Sequence, residues 1–198
     1  MKKILCHLFI ICGTLWGQKP GEVRLLGPAQ LQEDFEIAVQ SLAEVHPALY
    51  QYTTQNRLEK LSDSISKNQL SDSLSEAGFH IILRKYISNI GCGHTVALPS
   101  RHWYKKQGSS AQLLPFNIDL IGERLFINHT SPGDSLLKPG DEILMINGRS
   151  TAHILSKMRA IISGDGRGYR FIDYKIKRSF RTYYLFYLVV QPSTRFNI

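Results

Sequence analysis

The residues best able to do chemistry lie together in Ile90-Gly91-Cys92-Gly93-His94-Thr95. A histidine titrates near neutral pH and can accept a hydroxyl proton, while a cysteine offers a thiolate nucleophile or a soft metal ligand. The glycines give the backbone freedom to turn, so the segment reads as an irregular loop following a helix. A general base must come within ~3 Å of the proton it removes and be held in one tautomer by a third group. Cys92 and His94, two apart in an extended segment, share a face without being aimed at each other, which makes a thiolate–imidazole pair a weak reading. Combining them with His80 and His102 does not give the repeated Cys/His spacing of structural zinc, so neither a metal nor another cofactor is expected. His46 before Pro47 reads as a helix-end residue satisfied by backbone, and His129 and His153 carry no partner signal. Ser109, Ser110, Ser131 and Ser135 fall in loops, and none stands out as a nucleophile.

The elements before this segment are helical. Leu31, Phe35, Val39, Leu42 and Val45 recur at steps of four, four, three and three, which predicts a helix over 29–45 with one buried face. His46-Pro47 ends it, because proline disfavours helical geometry in the residue before it. A second helix carries Leu58, Leu61 and Ile65. A third is predicted to begin at Ser73, with Glu76 completing a capping box and Phe79, Ile82, Leu83, Tyr86 and Ile90 facing inward. Residues 29–100 therefore read as a small helical bundle.

After the polar stretch from Lys105 to Ser110 the period changes from helical to two. Leu114, Phe116, Ile118 and Leu120 alternate, and Arg124 to Asn128 follows as a second strand after the Gly122-Glu123 turn. Lys138-Pro139-Gly140-Asp141 turns into a strand from Glu142 to Ile146, closed by Asn147-Gly148, a strong hairpin signal. Ser150 or Thr151 then caps a helix with Ile154, Leu155, Met158, Ile161 and Ile162 on one side. Between Tyr169 and Tyr187 a basic amphipathic helix places Ile172, Ile176, Phe180, Tyr183 and Tyr187 on one stripe, with Arg170, Lys177, Arg178 and Arg181 elsewhere around the axis. Pro192 ends it, and Arg195 to Ile198 reads as the start of a strand with nothing after it. The fold class expected is α+β: a β-rich domain over 111–165 behind the helical bundle, then an amphipathic helix and a truncated start of a further domain over 166–198.

The N-terminus reads as a secretory signal peptide over 1–17. Lys2 and Lys3 precede an uncharged run from Ile4 to Trp16, too short for the ~20 apolar residues of a membrane span, and Gly17-Gln18 offers a cleavage point. The product is expected to be exported, to a periplasm, a cell envelope or the medium. Cys6 and Cys12 would leave with the signal peptide, so Cys92 would stand alone and no internal disulfide could form. With 43% apolar and 20% charged residues in 198, the composition is that of an ordinary globular chain. The formal charge of +8 falls by two when Lys2 and Lys3 are removed. Export argues against nucleic acid as the partner of that charge, which leaves solubility or, for the Arg167–Tyr187 helix, an anionic membrane surface.

The stretch Leu137-Lys138-Pro139-Gly140-Asp141-Glu142-Ile143-Leu144-Met145-Ile146-Asn147-Gly148 resembles the most recognisable part of bacterial PDZ domains. That resemblance implies a groove between the strand 114–120 and the helix 153–162, lined by Leu114, Phe116, Ile118, Ile154 and Met158 and open to an extended peptide or an unfolded protein. The order of the whole, from His46-Pro47-Ala48-Leu49-Tyr50 through Gly93-His94-Thr95 to the PDZ-like stretch, resembles S41 serine peptidases of the tail-specific and tricorn type. In that family a helical domain ending in Gly-His-Thr precedes a PDZ-like domain, and a serine-bearing catalytic domain follows. The resemblance covers about 30–198 and implies that His94 is the general base to a serine beyond residue 198 or on a separately encoded domain. The family segment more often reads Asp-Gly-His-Thr, and Cys92 stands at the acidic position here. The expectation is a peptide-binding front part that is not proteolytic by itself; the alternative is a free-standing, non-catalytic peptide-binding or scaffold protein of the cell envelope.

Overall fold

In the computed structural model the described residues are 24–101, 103, 105, 113–130, 137–166 and 168–184. The signal-peptide run, His102, most of the Lys105–Ser110 stretch, Tyr187 and the final Arg195–Ile198 segment lie outside them. The described part is a mixed α+β structure with helices at both ends and small antiparallel sheets.

Three helices build the first unit. Helix α1 (Pro28–Val45) opens with proline at its first position, where the missing N–H would have no intrahelical partner. It closes on His46, whose N–H still reaches the Leu42 carbonyl at 3.0 Å before Pro47 stops the ladder. Helix α2 (Gln55–Gln69) is capped by Thr54, whose hydroxyl accepts the Arg57 N–H at 3.3 Å. Helix α3 (Glu76–Ser88) is capped by Ser75, which accepts the Gly78 N–H at 3.1 Å. Ser73 is therefore not the cap. Strand β2 (Leu74–Ser75) pairs with β1 (Leu25–Leu26), which makes Ser75 the last extended residue, and the Glu76 carboxylate accepts the Ser100 N–H instead of closing a capping box. Leu31, Phe35, Leu58, Ile65, Leu70 and Ile90 are almost wholly buried between these helices, with Phe35 edge-on to Tyr86 at 5.4 Å.

The second unit is a three-stranded sheet of order β3-β4-β5, comprising β3 (Phe116–Ile121), β4 (Arg124–Thr130) and β5 (Glu142–Ile143). The turn after β3 uses Gly122 at φ +62°, and a bulge sits between Asn117 and Ile118. The single strand expected from Glu142 to Ile146 is broken at Leu144, whose carbonyl accepts the Thr151 N–H at 2.9 Å. Beyond the break, β6 (Met145–Ile146) pairs with β7 (Arg149–Ser150) across Asn147-Gly148. Both loop residues have positive φ, +52° and +74°, as a type I′ hairpin requires. Ser150 caps α4 (Thr151–Arg159) by accepting the His153 N–H at 3.3 Å.

The last helix, α5 (Arg170–Tyr183), packs on β3 and α4. Ile172, Ile176 and Phe180 enter the same core as Leu114, Phe116, Ile118, Ile154 and Met158. Ser179 leaves helical geometry at φ −131°, ψ 27°; Tyr184, at 1% exposure, continues the stripe four residues after Phe180, and the expected Tyr183 packs against the same core partly buried. Around the rim, Arg159 bridges Asp173 at 2.8 Å and Glu123 at 2.7 Å, and Lys177 bridges Asp119 at 2.6 Å. The difference in burial can be tested by truncation. Tyr184→Ala should cost about 3–5 kcal/mol in urea unfolding, the range for large buried aromatics, and Tyr183→Ala less than about half of that.

Candidate functional site

Helix α3 delivers the Gly-Cys-Gly-His segment to the boundary between the two units. Its last turn tightens through Ile90 N–H to Ile87 and Gly91 N–H to Ser88, and Gly91 takes φ +75° to leave the helix. A turn then closes as the Thr95 N–H reaches the Cys92 carbonyl at 3.1 Å.

Both sides of Gly93 are held by the second unit. Its N–H donates to the Asp165 carboxylate at 2.7 Å, and its carbonyl accepts from the Lys175 ammonium of α5 at 3.1 Å. The same ammonium donates to the Ser163 carbonyl at 3.0 Å. A Cβ at Gly93 would stand 2.9 Å from the Phe171 ring and 3.0 Å from the Asp165 carboxylate, so a side chain there would displace the groups that hold the segment. Thr95 is held by the first unit: His46 Nδ1 accepts the Ala48 N–H at 3.2 Å, which puts the proton on Nε2, and Nε2 donates to the Thr95 hydroxyl at 2.8 Å. Further along, the Ala97 carbonyl accepts from His80 Nε2 at 3.0 Å and from Arg84 at 3.2 Å.

His94 sits between these anchors. It is exposed, and its ring makes no hydrogen bond among the described residues. Its backbone is therefore fixed while its imidazole faces outward. Cys92 is half-buried and free, close enough to Lys175 to favour the charged ammonium. Burial, followed by repulsion from Arg84, pulls the Lys175 pKa below the usual lysine range, against the attraction of Asp165 and Cys92. Burial, the largest influence, also lowers the His80 pKa, with Arg84 acting in the same sense and the Ala97 carbonyl and Glu76 opposing. Among the described residues no group of three or more His, Cys, Asp or Glu side chains is arranged to hold a metal ion.

The five expected groove liners are core residues. Leu114, Phe116, Ile118, Ile154 and Met158 are each no more than 1% exposed and share their core with the apolar stripe of α5. No open groove runs over them, because α5 covers that surface. A peptide reaching these five side chains would have to displace α5.

Solved structures share this architecture. Mature CPAF superposes with a TM-score of 0.52 at 15% identity, over 80% of this chain and 28% of its own. A serine-to-alanine mutant of CPAF superposes with a TM-score of 0.55 at 16% identity, over 85% of this chain and 30% of its own. The fold is shared with part of CPAF. CPAF is a chlamydial serine protease of the tail-specific, S41-like kind, and this chain spans about three-tenths of its length. No family model matches the chain, and no curated protein matches it.

Sequence reasoning named His94 but missed what holds it. His46 was expected to be satisfied by backbone, and it does bind Ala48, yet its other nitrogen reaches Thr95. Asp165 and Lys175 lie 72 and 82 residues from Gly93, and no local spacing announces them.

Two measurements test this geometry. Asp165→Ala removes the acceptor of the Gly93 N–H, and amide exchange at Gly93 should speed up by about five- to tenfold, the effect of losing roughly 1 kcal/mol of hydrogen bonding. His80, with its pKa lowered in the fold, takes up a proton more readily when unfolded, so stability should be fully present above about pH 6.5 and fall as the pH drops below it. His80→Gln keeps an N–H donor without titrating and should flatten that slope in urea midpoints measured from pH 7.5 to pH 5.

Proposed function

We propose that this chain is the substrate-handling front part of an exported S41-type serine peptidase and does not cleave protein by itself. In this reading the unit over 111–165 is PDZ-like, and His94 is the general base for a serine carried by another domain. The observation that carries the reading is the fixed backbone of Gly93-His94-Thr95, pinned from both units, with an outward imidazole that has no partner among the described residues. A general base needs a defined place and a free nitrogen; the pinned backbone fixes where the residue stands and the ring is unpartnered among the described residues, while its orientation would come from a further contact. The shared fold with part of CPAF supports it. So does the apolar surface beside the segment, where the exposed rings of Phe171 and Tyr174 stack at 6.4 Å next to Gly93.

Among the described residues β3 is an edge strand of the order β3-β4-β5, and a peptide pairing with its main chain would share that side with α5, which packs on β3. Core access is not needed for that mode. A second reading, a free-standing binding module, is favoured by α5 itself, which closes the core of the second unit with residues of this chain alone. The uncharged run from Ile4 to Trp16 behind two lysines supports export in either case.

The purified full chain should leave casein intact over a day and retain a subset of an immobilised peptide array. Casein cleavage abolished by His94→Ala would overturn the claim that the chain is inactive alone. An array with no retained peptide would overturn the claim of substrate handling.

A further inference from the structure

A cleft between the two units lies on the far side of Gly91 and is not used by the reading above. It encloses about 450 Å³ and adjoins a second hollow of about 620 Å³, the two sharing Tyr52, Thr53, Arg57 and Gly166. Its floor is made by two glycines. Gly91 and Gly166 both take positive φ, +75° and +71°, and the Gly166 N–H donates to the Gly91 carbonyl at 2.9 Å. Tyr52 lies directly over them, and a Cβ on Gly91 would come within 2.8 Å of the Tyr52 Cβ. Glycine at Gly91 thus lets Tyr52 pack closely on the floor of the cleft.

The charge in this cleft is one-sided. Arg57 and Lys85 line it, and neither makes an ion pair among the described residues; Arg57 has only the Asn89 side-chain oxygen, at 3.5 Å. Arg159 also lines it but is already neutralised by Asp173 and Glu123. Among the described residues no aspartate or glutamate lines either hollow. Helix α2 starts at the rim with Thr54, so its positive end and its first N–H groups add to the same field. One further group is unused. Thr53 is nine-tenths buried at 9% exposure, lines both hollows, and its hydroxyl has no hydrogen-bond partner among the described residues. A buried hydroxyl without a partner is costly, and because its oxygen is almost wholly covered, an incoming acceptor relieves that cost once the Thr53 side chain turns toward the cleft.

We infer that this cleft binds an oxyanion, a carboxylate or a phosphate, between the Arg57 and Lys85 cations and the Thr53 end of α2. The inference rests on the cleft and not on His94, so it stands or falls independently of the peptidase reading. The oxyanion comes either from a free phosphate or from the end of a short peptide, and the two sources are separable.

Inorganic phosphate, an N-acetylated tripeptide with a free C-terminal carboxylate, and the matching tripeptide amide are titrated into the isotope-labelled full chain, reading the amide signals of Thr53, Gly91 and Gly166. Saturable shifts are expected with phosphate or with the carboxylate peptide. Binding should weaken at least tenfold in Arg57→Ala/Lys85→Ala and persist in Lys60→Ala/Lys67→Ala, which removes the same charge from residues outside the lining. Saturation by phosphate alone assigns the free ion, and a preference for the peptide acid over its amide assigns the chain end. No saturation by either probe, equal tightness for acid and amide without phosphate binding, or equal weakening in both double variants would overturn the inference.

Discussion

Two cations fasten the helical unit to the β-rich unit through main-chain carbonyls. Arg84, buried on α3, donates to the Ile161 carbonyl at 3.1 Å and to the Ala97 carbonyl, while Lys175 of α5 donates to Gly93 and Ser163. The Ser88 hydroxyl adds the Ala160 carbonyl at 2.7 Å, and the Gly166 N–H adds Gly91. A carbonyl in a fixed chain, unlike a rotating carboxylate, gives the cation a single position. That precision has an electrostatic cost, since Lys175 and Arg84 repel each other and Lys175 is partly desolvated. The arrangement holds because removing either donor would strand carbonyl oxygens at the boundary, where each unsatisfied group costs about 1–3 kcal/mol.

The same boundary fixes two features of different chemistry. On one side it pins the backbone of Gly93-His94-Thr95, and on the other it shapes the glycine floor under Tyr52. Both depend on Asp165 and Gly166, adjacent residues of the loop that joins α4 to α5. That loop can be placed only when α5 is docked, and α5 is docked by the stripe from Ile172 to Tyr184. Burial of an apolar stripe therefore determines where a polar segment sits, even though no residue of the stripe belongs to that segment.

Much of this architecture was legible in local patterns. Helical steps in α1, α2 and α5, the Asn147-Gly148 hairpin and the change to period two after residue 113 all correspond to observed elements. What was not legible came from contacts distant in sequence or from elements too short to have a period. Strands β1 and β2, two residues each, displaced the α3 cap from Ser73 to Ser75. The Leu144 carbonyl was taken by Thr151, which split one expected strand into two sheets. Alternation in Leu114, Phe116 and Ile118 correctly signals a buried face, but alternation cannot say what covers it. The cover was written in a separate pattern, the stripe of α5, and only the meeting of the two turns expected groove liners into core.

The site also shows how a missing charge changes what must be supplied from elsewhere. In the segment this chain resembles, a carboxylate precedes Gly-His-Thr, whereas Cys92 stands there here. A carboxylate is nevertheless present: Asp165 reaches the segment from the α4–α5 loop and binds the Gly93 N–H. It orients the main chain, not the imidazole. His46 does the same for Thr95, acting through a side-chain hydroxyl. His94 is thus left with a fixed Cα and two free side-chain torsions, and a base in that state occupies several rotamers. Catalysis by such a histidine needs a group that selects one ring orientation and one tautomer. Among the described residues no such group contacts it.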